Sequence, residues 1–167
     1  MAEISIDRQG AVATVTLRRP EALNAFTPTM LKELVLAIRS LEADASASVI
    51  VLEGAGRAFS AGVDLKLLKG ASPESGRIAT TFDDAAHEAA RTVRWSALPI
   101  IAKVHGFCFT GALELALHCD FIFTTADAKF GDTHVRWGLR PTSGMSQNLA
   151  RAISSLPVPV SPVIKAV

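Results

Sequence analysis

The 167-residue sequence predicts one α/β domain with a mostly parallel β-sheet and covering helices. Short apolar runs of strand character alternate with longer segments of helical periodicity, the pattern that βαβ units produce. Two apolar runs, "SVIVLEGAG" and "IIAKVHG", end in glycine and lead towards helical segments. A chain of this length buries one sizeable core, so a single domain is expected.

The first element predicted is a β-hairpin. Ile4 and Ile6 alternate with polar residues, Arg8-Gln9-Gly10 supply a turn, and apolar residues alternate again up to Leu17. Pro20 ends the return strand.

A helix is predicted next, from Thr27 to about Leu41. Threonine followed by proline is typical of a helix start, because the hydroxyl caps the first turn and proline fits its first position. Apolar residues then recur at helical spacing. The strand "SVIVLEG" follows, and "AFSAGVDLKLL" turns into a short helix.

The second half predicts a polar, mobile loop, "KGASPESGR", and then a helix from Ile78 to Leu98 that Pro99 breaks. The strand "IIAKVHG", a helix from Gly111 to Cys119 and the strand "DFIFTT" complete the alternation. The final stretch, "SSLPVPVSPVIKAV", contains three prolines and predicts an extended apolar tail.

Composition and charge exclude several classes of protein. Seventeen basic and sixteen acidic residues give a net charge of +1, which does not indicate a nucleic-acid partner or an anionic membrane surface. No apolar run is long enough to span a bilayer, and the charged N-terminus does not resemble a signal peptide. Cys108 and Cys119 have no metal-ligand spacing, which predicts buried, reduced thiols in a cytoplasmic protein.

Two loops carry the predicted chemistry, because ligands bind beyond the carboxyl ends of parallel strands. The loop "SAGVDL" presents the backbone N–H of Val63 as it enters a helix, and "FTGALEL" presents that of Gly111. Two convergent amides suit the oxygen of an enolate-type intermediate. Glu114 lies one helical turn after Gly111, so we expect this acid, in an otherwise apolar run, to face the same cavity.

At these residues the sequence resembles the enoyl-CoA hydratase/isomerase family, the crotonase superfamily. The matching segments are "RPEALNAFTPTMLKEL", "AFSAGVDL", "KVHGFCFTGALELALHCDFIF" and "DAKFGDTHVRWGLRPTSGMSQNLAR". They occur in the family's order and approximate spacing and together cover about Ile4 to Arg151. The resemblance implies a crotonase-like ββα spiral core and chemistry on acyl-CoA thioesters, with fatty-acid oxidation as the expected setting.

The resemblance also implies the site. Val63 and Gly111 form the oxyanion hole, and Glu114 is the catalytic acid or base. The CoA portion contacts two segments, the one from Ala22 to Ala25 and the loop "SAGVDL". These contribute Ala22, Leu23, Ala25, Ala61, Gly62, Asp64 and Leu65. It implies no metal and no cofactor beyond the CoA of the substrate, and homo-oligomers, trimers or hexamers, in full-length relatives.

Three departures from the family pattern bear on function. Hydratases of the family use two glutamates, and the second position holds His134, with Asp132 two residues earlier. Only one glycine of the usual glycine-rich run before Glu114 is kept, in "FTGAL". The family pattern stops near Arg151, so we expect a C-terminally truncated member: residues 1–152 form the acyl-CoA-binding core without most of the C-terminal helical region, and residues 153–167 form a non-family tail.

Three functions stay open at this stage: a hydratase, an isomerase that works with one carboxylate, and a catalytically impaired protein that binds acyl-CoA or a partner. His134 is expected to replace the second carboxylate in place but to support only weak hydration, and a structural role for it stays open. His87, His105 and His118 are weaker candidates. A hydrolase using Ser60 is disfavoured, because no G-x-S-x-G motif is present.

Overall fold

The computed structural model describes residues 2–68 and 80–154. The predicted polar loop at residues 69–77, and all of the predicted tail from residue 155 onward, lie outside these ranges.

A five-stranded mixed sheet forms the centre of the fold, with the strand order β1-β2-β3-β4-β6. Strands β1 and β2 are antiparallel, and the other three pairs are parallel. The bounds are β1 Ile4–Gln9, β2 Val12–Leu17, β3 Val49–Gly54, β4 Ile100–Val104 and β6 Phe121–Thr124. The predicted hairpin, both buried strands and the strand in "DFIFTT" are therefore confirmed.

Helix α1, Pro28–Glu42, begins where the sequence predicts. The Thr27 hydroxyl accepts a hydrogen bond of 3.0 Å from the Met30 amide, and proline occupies the first helical position. Its apolar face packs against the sheet, so Leu34 and Ile38 lie in one core with Val15 and the central strands.

Helix α2 occupies Thr80–Arg94, so it ends four residues before the predicted Leu98. At residues 97 and 98, side chains replace helix carbonyls as acceptors: Glu42 accepts from the Ala97 amide at 2.8 Å and Ser96 accepts from the Leu98 amide at 3.2 Å. The prediction of a helix up to Leu98 is wrong for this reason.

Helix α3 occupies Gly111–Ala116 and is shorter than predicted. The amides of His118 and Cys119 bond carbonyl oxygens three residues back, at Leu115 and Ala116. The chain therefore tightens into a 3₁₀-like turn before Cys119.

Two strands and one α-helix were not predicted from the sequence, and neither were the 3₁₀ turns Pro20–Ala22 and His134–Trp137. Strands β5, Phe107–Phe109, and β7, Lys129–Gly131, form a separate two-stranded parallel sheet. Helix α4 occupies Met145–Ser154. Strand β5 follows β4 within three residues and leads into α3, so this small sheet determines where α3 begins.

The edge strand β6 is exposed along its whole length. The side chains of Phe121 and Phe123 are 62% and 64% exposed, an uncommon placement for two phenylalanines two residues apart on one strand. No helix among the described residues is long and apolar enough to cross a membrane.

Candidate active site

Val63 lies in an isolated parallel β-bridge with Phe26. The Phe26 amide donates to the Gly62 carbonyl at 2.6 Å, and the Phe26 carbonyl accepts from the Asp64 amide at 3.1 Å. In such a bridge the amide of Val63 itself points away from Phe26. The helix that follows is a 3₁₀ turn that begins only at Leu65. The predicted helix start at Val63 is therefore wrong, and the bridge to Phe26 orients the Val63 amide instead.

Gly111 is the first residue of α3, as predicted, so its amide has no partner within the helix. Thr110 precedes it with φ 49° and ψ −120°, a conformation that β-branched residues rarely adopt. The Thr110 amide donates to Gly131 of β7 at 2.9 Å, and the Thr110 carbonyl accepts from Glu114 at 3.0 Å. Contacts on both sides thus hold this strained turn in place.

One small cavity brings the four predicted catalytic residues together. Val63, Gly111, Glu114 and His134 all line a space of about 40 Å³, which is large enough for ordered water. A Cβ atom placed on Gly111 would lie 3.7 Å from Val63 Cγ2, so the two loops are in contact. Among the described residues, neither the Val63 nor the Gly111 amide donates to a protein acceptor.

Glu114 is buried in this cavity, with 5% of its side chain exposed. Its Oε1 accepts a hydrogen bond of 2.8 Å from the Ser143 amide, and its Oε2 lies 3.6 Å from His134 Nε2. That separation is too long for a hydrogen bond, so Oε2 stays open to the cavity. The expectation that Glu114 is turned from solvent towards a cavity matches this geometry.

Two histidines fix the segment that holds Glu114. Nε2 of His87, from α2, donates to the Thr142 carbonyl at 3.0 Å, and Nε2 of His118 donates to the Ser143 carbonyl at 2.7 Å. Because a carbonyl oxygen can only accept, both imidazoles carry their proton on Nε2. Neither His87 nor His118 lines the small cavity, and their observed bonds hold the loop that bonds Glu114.

A second, larger cavity of about 590 Å³ adjoins the first, and Val63 and Leu139 line both. Its size falls in the range of small-molecule sites, and most of its lining side chains are apolar. Five of the seven residues predicted to bind CoA line this cavity: Ala22, Ala25, Ala61, Asp64 and Leu65. Trp137 and Leu149 of the unpredicted C-terminal segments also line it.

The other two predicted CoA-binding residues, Leu23 and Gly62, line neither cavity. The Leu23 carbonyl accepts from the Ala61 amide at 2.9 Å and so joins the two predicted segments. Gly62 has φ 90° and packs so closely against Phe109 and Thr110 that no side chain fits there. Their observed contacts are with protein backbone.

Asp64 combines an ion pair with a helix start. Its carboxylate lies 3.0 Å from Arg19 and accepts from the Lys66 amide at 3.0 Å. Burial opposes ionisation, but these two donors outweigh it and hold the pKa of Asp64 below its usual value. Asp64 itself lines the larger cavity, where Lys66 and Arg136 supply positive charge.

Ser60 is fully buried, and its hydroxyl donates to the Asn24 carbonyl at 2.8 Å while accepting from the Gly62 amide at 3.1 Å. A hydroxyl with both roles occupied by backbone is a structural group. Cys108 and Cys119 are buried free thiols, as predicted, and burial raises the pKa of Cys119 to about 12.

Comparison with known proteins places this chain in a family. The sequence profile described as "Enoyl-CoA hydratase/isomerase" matches residues 7–157. A probable enoyl-CoA hydratase of Rhizobium meliloti is 38% identical over 148 residues, which are 89% of this chain and 56% of that protein. A short-chain-enoyl-CoA hydratase of Clostridium acetobutylicum is 34% identical over 151 residues, covering 90% of this chain and 57% of that protein.

The fold agrees with the sequence comparison. The crystal structure of enoyl-CoA hydratase from Thermoplasma volcanium superposes with a TM-score of 0.82 at 32% identity, covering 90% of this chain and 59% of that one. The predicted crotonase-like α/β fold is thereby confirmed, and the chain spans about half the length of the curated relatives it matches. It belongs to the enoyl-CoA hydratase/isomerase family.

Proposed function

We propose that this chain binds an acyl-CoA thioester and stabilises its enolate with the backbone amides of Val63 and Gly111, while Glu114 transfers the proton at the α carbon. The observation that carries the proposal is the small cavity, which these three residues line together. Both amides are free of protein acceptors among the described residues. Donors aimed at a developing oxyanion in a buried site are worth about 10²–10³ in rate each.

The larger cavity supports the substrate class. Its wall of alanine and larger apolar residues suits the acyl and pantetheine portions, and Lys66 and Arg136 would face the phosphates of CoA. Because Val63 lines both cavities, a thioester lying in the larger one would reach the free amides at the smaller one. We propose no cofactor beyond the CoA of the substrate.

Hydration of an enoyl-CoA is the reaction we propose first, since relatives of this chain are named hydratases. Isomerisation of the double bond is the second candidate, because the second glutamate position holds His134 and a single carboxylate can move a proton between two carbons. An impaired acyl-CoA-binding or partner-binding protein is the third, because no carboxylate occupies the second glutamate position.

The proposed setting is the cytoplasm, in fatty-acid oxidation. Self-association is also part of the proposal, and the apolar side chains of Phe121 and Phe123 on an edge strand support it.

Purified protein with crotonyl-CoA and with a 3-enoyl-CoA tests the proposal, both reactions being followed by the absorbance of the conjugated thioester. We expect turnover of at least one substrate, and a loss of about 10²–10⁴-fold in Glu114→Gln with CoA-ester affinity nearly unchanged. Glu88→Gln is the matched control, because Glu88 is an exposed glutamate on α2 that bonds Arg39.

Two outcomes separate the candidates, and a third tests the role of Glu114. Turnover of the 3-enoyl ester alone would establish the isomerase, and tight binding without turnover would establish the binding protein. Equal rates in Glu114→Gln and Glu88→Gln would refute the role of Glu114.

A further inference from the structure

Asp132 and His134 form a compact unit next to Glu114. Oδ1 of Asp132 accepts a hydrogen bond of 2.6 Å from His134 Nδ1 and another of 3.0 Å from the His134 amide. The side chain of His134 is 5% exposed, and that of Asp132 is 35% exposed. The backbone bond closes a tight turn that holds the carboxylate in front of Nδ1.

These contacts determine the tautomer of His134. A carboxylate can only accept, so Nδ1 must carry the proton that bonds Asp132. In the neutral imidazole Nε2 then has a free electron pair, and this atom lies 3.6 Å from Glu114 Oε2 at the small cavity. The other three histidines each place Nε2 at 2.7 to 3.0 Å from a backbone carbonyl and must be protonated there: His87, His105 and His118.

We propose that Asp132 is a positioning residue that fixes His134 as the Nδ1-protonated tautomer, so that Nε2 is the base that activates water opposite Glu114. Asp132 and neutral His134 together carry one negative charge. Two residues thus supply what a second glutamate supplies elsewhere in the family, and the expectation of only weak hydration, which considered the imidazole alone, is revised. This inference rests on the proposed function.

These groups account for every proton transferred in the hydration reaction. Nε2 of His134 removes a proton from water, and the water oxygen forms the new bond to the β carbon. The double-bond electrons move onto the thioester oxygen, and the enolate formed there is held by the two amides. Glu114, protonated at the start, donates its proton to the α carbon as the carbonyl re-forms. Transfer of the proton from Nε2 to Glu114 Oε2 restores the starting state, with one water consumed.

Other charged groups face the same cavity and remain constant in the test. Asp83, from α2, and Arg140, from the loop after the 134–137 turn, both line it. Neither residue takes part in the two hydrogen bonds that join Asp132 to His134. Within the described residues no group of three His, Cys, Asp or Glu side chains has the arrangement of a metal site.

Long-range ¹H–¹⁵N NMR spectra of the intact protein test the tautomer directly, because the four histidines give separate imidazole patterns. We expect three Nε2-protonated rings and one Nδ1-protonated ring, the latter being His134. In Asp132→Asn the neutral amide is a weaker acceptor than the carboxylate it replaces, so the Nδ1 tautomer loses its main support and the His134 proton should move to Nε2. Asp132→Ala, which has no acceptor there, should show the same change.

The matched control is Asp44→Asn. Asp44 makes the same turn, its Oδ1 accepting from the Ser46 amide at 2.9 Å, and it also bonds a basic side chain, Arg8. Asp132→Asn should lower kcat for hydration by roughly 10²–10⁴ with little change in KM. Asp44→Asn should leave both the histidine spectra and kcat unchanged.

Two results would overturn the inference: a wild-type His134 protonated on Nε2, or a hydration rate in Asp132→Asn equal to that of Asp44→Asn. If wild-type protein shows the Nδ1 tautomer, and loses it in Asp132→Asn, but turns over no enoyl-CoA, the proposed function fails while the assignment of Asp132 as the residue that fixes His134 stands.

Discussion

Replacing Asn24 by alanine should cost more stability than any exposed substitution in the molecule. Asn24 is fully buried with φ 53°. Its Oδ1 accepts from the Arg19 amide at 2.9 Å, and its Nδ2 donates to the carbonyl oxygens of Ala55 and Ala58, each at 2.8 Å. One side chain thereby joins the turn before α1 to the loop after β3.

The magnitude follows from these three bonds. Each is worth about 0.5–1.5 kcal/mol net, and a buried group left without a partner costs about 1–3 kcal/mol. Asn24→Ala leaves one amide and two carbonyls unpaired, and alanine tolerates a left-handed conformation less well than asparagine, at about 1 kcal/mol. We expect a loss of about 4 kcal/mol in the free energy of unfolding, a large share of the roughly 5–15 kcal/mol that folded domains possess.

Urea unfolding followed by circular dichroism measures this loss. Asn24→Gly removes the same bonds but accepts φ 53° without strain, so it should be about 1 kcal/mol more stable than Asn24→Ala. Gln147→Ala, on an exposed face of α4, should change stability by less than about 0.5 kcal/mol.

The result that would refute this reasoning is a loss below about 1 kcal/mol for Asn24→Ala with an unchanged denaturant slope. Such a result would mean that water or a shifted loop satisfies the freed groups. In the fraction of Asn24→Ala that stays folded, CoA-ester binding should weaken as well, because Ala22 and Ala25 on either side line the larger cavity.

Three further predictions concern other positions. Gly62→Ala should destabilise by more than about 2 kcal/mol, because the new methyl group would overlap the Thr110 hydroxyl and lie 2.6 Å from the Phe109 carbonyl oxygen at φ 90°; a neutral result in thermal unfolding would contradict the close packing. Since the pKa of Asp64 is lowered by folding, its stabilisation is complete above about pH 4 and is lost as the pH falls through the folded value. Asp64→Asn should therefore flatten the decline in urea-measured stability between pH 4 and pH 2, and an unchanged slope would refute this. Cys108 and Cys119 should not react with a disulfide reagent at pH 8 in the native state but should both react in urea, because burial raises the pKa of each thiol; a rapid native reaction would show that one thiol is exposed.

Local sequence determined much of the fold. The Thr27–Pro28 start of α1, the hairpin and the strands of the main sheet could all be predicted, because capping, turn residues and hydrophobic periodicity act within a few residues. The same local logic placed Glu114 and the first amide of α3 one turn apart on one helix. The family also followed from four short segments that lie in order along the chain.

Only the tertiary structure decided what these residues meet. The orientation of the Val63 amide depends on its bridge to Phe26, which lies 37 residues earlier, and a helix start predicted from local sequence explained it wrongly. The hydrogen bond between Asp132 and His134 is local, but its importance depends on Glu114. Glu114 lies on a different element, and its Oε2 is 3.6 Å from His134 Nε2. Hydrophobic periodicity reports which face of an element is buried, not which distant group is buried against it, and a site built from four separate segments exists only once the chain has brought them together.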